Sequence, residues 1–472
     1  MPTVTAPRLP PAASGPEADA RPDPMADPTA RRQGPRPLAL HLATQGWTFL
    51  TSYAGLMRLS GGWPTSTPDS GSRTRSAPGP DPAEALRRTL ESVAAEHGAG
   101  AAELARALEG ADARLAFLGA VDAEARRRFE SFLRGIQRYR AHPYKRTVAD
   151  PPVIWRRGTT GLRDYRGTAP LSPRGEGRGA AVLVVPSLVN RGYVLDLTER
   201  RSFMRYLAGR GFRPFLVDWD APGEEERDFG CTEYVHDRLS PLVDAVRAET
   251  GARKIIVVGY CMGGTLSLPL AQARPDAVGA LVTLAAPWDF HAGSRRQQRV
   301  MAALGDAMGN VVDVHGVLPV DLLQSLFATL DPGGIPRKFR AFDRMRPRSA
   351  KARDFVALED WLNDGVALAG PLARETLFGW YAENGPGRGA WTVGDSVVDP
   401  GRIAAQTLVV VPSRDRIVPP ESAEALLAAC PKAEGMKVPL GHVGMMTGRR
   451  AGTLVYGPLA RWMGRAARRC AG

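Results

Sequence analysis

The chain has 472 residues, and 62 Lys and Arg against 49 Asp and Glu give it a formal charge of +13. That length accommodates one large catalytic domain and a smaller accessory region, and the basic excess favours anionic partners. Nucleic acid is not indicated, because zinc-ligand spacing, a helix-turn-helix signal and an aromatic-interleaved basic stripe are all missing.

Residues 1–36 are rich in Pro, Ala, Asp and Arg with almost no large apolar groups, so they read as disordered. Glu17, Asp19, Asp23 and Asp27 speak against a transit peptide, and no charged start precedes an apolar core, so export is not expected. Four cysteines, Cys231, Cys261, Cys430 and Cys470, form no CxxC pair and read as reduced thiols of a cytoplasmic protein. Between Leu38 and Trp63 the apolar run is broken by His41, Gln45, Thr48, Ser52 and Arg58, so no transmembrane segment is expected. Leu38 to Leu59 reads as an amphipathic helix, either docked on its own catalytic domain or lying on a lipid-like surface. A Ser, Pro and Gly linker runs from Pro64 to Pro80, completing a segment over 37–80, and residues 81–150 form a helical region marked by Leu86, Leu90, Val93, Leu115, Phe117 and Leu118.

From residue 151 to 472 the pattern changes to short apolar runs alternating with amphipathic helices. It predicts an α/β domain: a mostly parallel sheet with helices on both faces. Strands are predicted at Ala181–Val185, Arg213–Val217, Lys254–Gly259, Val278–Leu284 and Thr407–Val411, with helices such as Arg200–Ala208 and Thr232–Glu249 between. The interval of about 291–399 interrupts the rhythm and reads as a cap insertion.

The buried strand at Lys254 runs into Gly259-Tyr-Cys-Met-Gly-Gly264 and then a helix. This is the pattern of a nucleophile elbow in the α/β-hydrolase fold, with cysteine in the serine position. The strained strand-to-helix turn demands small residues two before and two after the nucleophile, as Gly259 and Gly263 provide. A helix N-terminus favours thiolate and aims backbone N–H groups at an oxyanion, so Met262 N–H is one candidate donor. An acid and a histidine follow in the order this fold requires: Asp415 just past a late strand, and His442 in the loop Pro439-Leu-Gly-His-Val-Gly444. His41, His97, His142, His236, His291 and His315 lack that context. A second oxyanion donor is expected from the loop after the first parallel strand, with the Val189 backbone nominated. Neither a phosphate-binding glycine loop nor a clustered ligand set suggests a cofactor or metal.

Trp155-Arg-Arg-Gly-Thr-Thr-Gly-Leu-Arg-Asp-Tyr165, Val185-Pro-Ser-Leu-Val-Asn-Arg-Gly-Tyr-Val-Leu-Asp-Leu197, the Gly-Tyr-Cys-Met-Gly-Gly box and the two acid and histidine loops together resemble the polyhydroxyalkanoate synthases, from about Trp155 to Met463. The resemblance implies a cysteine carrying the growing chain, a histidine base, an aspartate, 3-hydroxyacyl-CoA substrates, association with the polyester granule surface and a homodimer. The cap differs from the family pattern, offering Asp360-Trp-Leu-Asn-Asp-Gly365 and Gly379-Trp-Tyr-Ala-Glu-Asn384. An alternative keeps the same triad with water as acceptor, as an intracellular polyester depolymerase or acyl-thioester hydrolase. A granule-bound structural protein is a third reading, which an intact Cys, Asp and His set disfavours.

Overall fold

The computed structural model describes residues 32–59, 111–170, 175–293, 305, 307–331 and 333–470. The expectations for residues 1–31, for the linker and for the first part of the helical region lie outside these. Eight strands make the central sheet: β1 (Val153–Arg157), β2 (Thr160–Asp164), β3 (Ala181–Val185), β4 (Arg213–Asp218), β5 (Ile255–Tyr260), β6 (Val278–Leu284), β7 (Gln406–Pro412) and β8 (Glu434–Val438). Their order in space is β1-β2-β4-β3-β5-β6-β7-β8. The pairs β1/β2 and β2/β4 are antiparallel and all others parallel.

The continuous apolar runs in the sequence follow from burial on both faces. Leu183 and Val185 of β3 and Val257 of β5 join one core cluster, while Val182, Val184, Ile256 and Val258 join the other. The sequence places these strands to within a residue, and the small shift in β5 matters, because its last residue, Tyr260, abuts Cys261. The β1–β2 hairpin was not anticipated. It is the sheet's antiparallel edge, and Arg156 and Arg157 on its exposed side break the apolar pattern by which a strand is recognised.

Helix α3 (Met262–Ala273) leaves β5 at the sheet's centre. Between β6 and β7 lie the cap helices α4 (Val320–Leu330), α5 (Gly334–Asp343) and α6 (Ala350–Asn363), followed by a π-helical turn over Glu375–Ala382. Towards the N-terminus, α1 (Leu38–Leu59) lies against α2 (Ala111–Arg140). These helices pack on the cap: Phe132, Ile136 and Tyr139 of α2 form a third cluster with Phe339, Phe342, Ala352 and Val356, and Leu38 and Leu42 of α1 join it. Leu40, Trp47 and Leu50 of α1 are exposed. No described helix is long and apolar enough to cross a membrane.

Residues 32–36 fall within the stretch whose composition reads as disordered, yet specific polar contacts hold them. Arg32 makes two hydrogen bonds to the Asp360 carboxylate, at 2.8 and 2.6 Å, and two more to the carbonyls of His142 and Tyr144. Arg36 pairs with Asp321. Ion pairs, which hydropathy does not register, hold this segment.

Candidate active site

Strand β5 is buried throughout, and the chain then turns sharply at Cys261, which has φ +55° and ψ −128°. A non-glycine residue at positive φ is strained, and the turn is held by hydrogen bonds on both sides. Cys261 N–H donates to Leu284 O at 2.8 Å, and Cys261 O accepts from Gly264 N at 2.8 Å and Thr265 N at 3.3 Å. The glycines beside it are steric necessities. A Cβ on Gly263 would lie 2.3 Å from Val185 O, and one on Gly259 would lie 2.4 Å from Gly264 Cα. Cys261 is the half-buried member of the described free cysteines, while Cys231 and Cys430 are buried. Burial pushes both of those thiols up, and Glu375 adds to the effect at Cys231.

Asp415 follows β7 on a loop that returns its own backbone to the carboxylate. Oδ1 accepts from Ile417 N at 2.8 Å and Val418 N at 2.9 Å, and Oδ2 lies 2.6 Å from His442 Nδ1. The loops are tied to each other, since Ser413 N donates to Val438 O and Arg414 N to Leu440 O. With Nδ1 committed to the carboxylate, Nε2 is the nitrogen left to face Cys261, whose charge favours the protonated ring. Burial alone would lower the imidazole's pKa. The charges of Cys261 and Asp415 and the hydrogen bond to Asp415 overcome that and raise it to about 10. The fold therefore brings together the three side chains that the sequence proposed from far apart.

The two nominated oxyanion donors stand differently. Met262 N–H is the first of α3 and has no intrahelical acceptor, so it is available at the helix's positive end. Val189 N–H makes a long 3.3 Å contact with Ser187 Oγ, and its carbonyl accepts from Val366 N at 3.3 Å. Among the described residues no cluster of His, Cys, Asp and Glu could hold a metal ion.

A family model for the alpha/beta hydrolase fold matches residues 180–448. The poly(3-hydroxyalkanoate) polymerase subunit PhaC of Synechocystis sp. is 31% identical over 290 residues, which are 60% of this chain and 77% of that one. The subunit of the same name from Allochromatium vinosum is 28% identical over 291 residues, 61% of this chain and 81% of its own. The chain belongs to the poly(3-hydroxyalkanoate) polymerase family, within the alpha/beta hydrolases. Among solved structures, a carboxylesterase of Nitrososphaera gargenis covers 67% of the chain at 11% identity with a TM-score of 0.42.

In this alpha/beta hydrolase, two tyrosines that the sequence reading did not single out crowd the triad. The ring of Tyr260 lies 5.3 Å from the His442 ring, tilted by 33°, and its hydroxyl donates to His442 O at 3.3 Å. Tyr381 arrives from the cap's π-helical turn with its ring 4.9 Å from Phe290. Burial, and then the charge of Cys261, push the Tyr381 hydroxyl's pKa up. Tyr260 is visible in the sequence as the residue before Cys261. For Tyr381 the sequence carries no comparable signal, because cap packing brings it to the site.

Proposed function

We propose that the chain polymerises 3-hydroxyacyl groups taken from their CoA thioesters, through a thioester on Cys261. The observation that carries this reading is a cysteine at the strained β5–α3 turn whose charge acts on a His442 that Asp415 holds through Nδ1, in a chain of the polymerase family. The Cys261 sulfur, its proton given to His442, attacks the acyl carbonyl. The resulting oxyanion is met by Met262 N–H and, once the amide leaves Ser187 Oγ, by Val189 N–H. Expulsion of the CoA thiolate, protonated by the imidazolium, leaves an acyl-cysteine. The 3-hydroxyl of another unit then gives its proton to His442 and attacks that thioester, which forms one ester bond and frees the sulfur. Sulfur suits such a relay, because an acyl-cysteine is close in energy to the incoming thioester and stays reactive towards an alcohol.

The granule surface as a partner and a homodimer as the active form belong to the same proposal, on the strength of the sequence motifs. The deciding assay is thiol release from 3-hydroxybutyryl-CoA by the purified chain, with the acyl product analysed. Release accompanied by polymer, and abolished in Cys261→Ala, is the expected result. Free 3-hydroxybutyrate as the sole product would replace the polymerase reading with a hydrolase, and undiminished release by Cys261→Ala would remove the cysteine from the mechanism.

A further inference from the structure

The turn that ends α6 has contacts on two opposite sides. On one side it grips the loop after β3. Trp361 Nε1 donates to Arg191 O at 2.7 Å, Asn190 Nδ2 donates to Trp361 O at 3.3 Å, and Val366 N donates to Val189 O at 3.3 Å. Asp364 holds the same loop through its carboxylate, with Arg191 Nε at 3.1 Å and the Tyr193 hydroxyl at 3.2 Å. Asn190 and Gly365 form an isolated antiparallel bridge, and a Cβ on Gly365 would lie 2.8 Å from Val320 Cγ1, so glycine permits the approach. On the other side, Asp360 receives Arg32 through two hydrogen bonds and the Tyr139 hydroxyl at 2.8 Å. Asn363 donates to that hydroxyl at 3.0 Å and accepts from Arg36 N at 2.9 Å.

We infer that the turn Asp360–Val366 is a positioning element for the oxyanion donor at Val189, and that the N-terminal segment sets the turn through Arg32 and Tyr139. The inference rests on the proposed role of Val189 and deepens it. None of these residues touches the reacting atoms. They act through the backbone of residues 189–191, whose placement within a fraction of an ångström decides how well an amide meets a developing oxyanion. Arg191 also ties this loop to the stretch after β4, bridging to Asp220 at 2.8 Å, and Asp220 itself has φ +55°. The loop is thus clamped between the end of β4 and the cap, with the N-terminal segment bracing the cap's side of the clamp.

Two reactions at one sulfur separate positioning from general damage. Acylation by p-nitrophenyl acetate needs the oxyanion donors, whereas alkylation by iodoacetamide needs only the activated sulfur. In Asp364→Asn, the burst of p-nitrophenolate should slow about tenfold while alkylation of Cys261 keeps its wild-type rate. Arg32→Ala should slow the burst in the same selective way, and adding it to Asp364→Asn should slow it no further, because both act through one turn. Tyr139→Phe, which loses a single hydroxyl, serves if Arg32→Ala does not fold. An unchanged burst in Asp364→Asn, or burst and alkylation falling together, overturns the inference, and additive slowing in the double variant removes the N-terminal segment from it. A wild-type chain that shows the burst yet releases no CoA from acyl-CoA would sink the polymerase reading and leave the positioning result standing.

Discussion

His442 sits between two groups that favour its charged form, and together they prevail over its burial. The sign of the resulting pH dependence follows directly. A group whose folded pKa is raised to about 10 from 6.5 stabilises the native state at neutral pH and loses that contribution as pH climbs towards 10. The stability gap between wild type and His442→Gln should therefore be wide at pH 7 and close as pH approaches about 10, in urea unfolding at each pH. A gap independent of pH would show that the imidazole carries no extra charge in the native state. Cys261, Asp415 and His442 were legible in the sequence because each sits beside a feature with its own signature: a glycine-flanked turn, a strand end and a Gly-flanked loop in a fixed order. Tyr381 has no such signature, since its place depends on how the cap folds back over β6. Whether a backbone amide such as Val189 N–H is free also lies outside what residue identities encode, and here a neighbouring hydroxyl engages it.

Among the elements, the parallel strands were the most legible. Ala181–Val185 and Val278–Leu284 are found where their apolar runs end, because a strand covered on both faces has no polar residues to blur its limits. The edge strand β8, with Glu434, Gly435 and Lys437 exposed, and the β1–β2 hairpin carry no such run. The cap is where local pattern failed most, since its π-helical turn is fastened by a tertiary contact. Asn384 adopts φ +54°, accepts from Phe290 N at 2.9 Å and donates to Asp289 Oδ1 at 2.8 Å. That pins the Tyr381 turn to the loop after β6. Asn tolerates the left-handed region better than Ala, so Asn384→Ala loses two hydrogen bonds and adds backbone strain, whereas Asn384→Gly loses only the bonds. Denaturant unfolding should show Ala costing about 1 kcal/mol more than Gly, and equal costs would mean that the positive φ contributes nothing.

Across the whole molecule, the described N-terminal helices α1 and α2 share an apolar cluster with the cap helices α5 and α6. Gly135 is a point of close approach in that docking: a Cβ there would lie 2.3 Å from the Phe339 carbonyl oxygen, a backbone atom that cannot swing aside. Gly135→Val should force α2 off α5 at a cost of about 1–3 kcal/mol. Limited proteolysis should then cut within residues 111–150 sooner than in wild type, while Cys261 alkylation keeps its rate. Protection equal to wild type would show that the helices can separate at that point without loss. Composition and helical spacing located this region, but they left open what it packs against. The partner surface is assembled from α5 and α6, two hundred residues further on, and no local pattern names a partner at that distance.

The unequal burial of the sulfurs extends to oxidative chemistry. Peroxide attacks thiolates that solvent can reach, and of the described cysteines Cys231 and Cys430 are enclosed with their thiols pushed towards the protonated form. Among these three, damage therefore falls on Cys261, the sulfur proposed to carry the acyl group. Oxidant dose and lost turnover should track each other one for one, and inactivation at the sulfenic stage should reverse with a reducing thiol. Among the described cysteines, the sulfur proposed to carry the acyl group is thus also the one most open to redox failure.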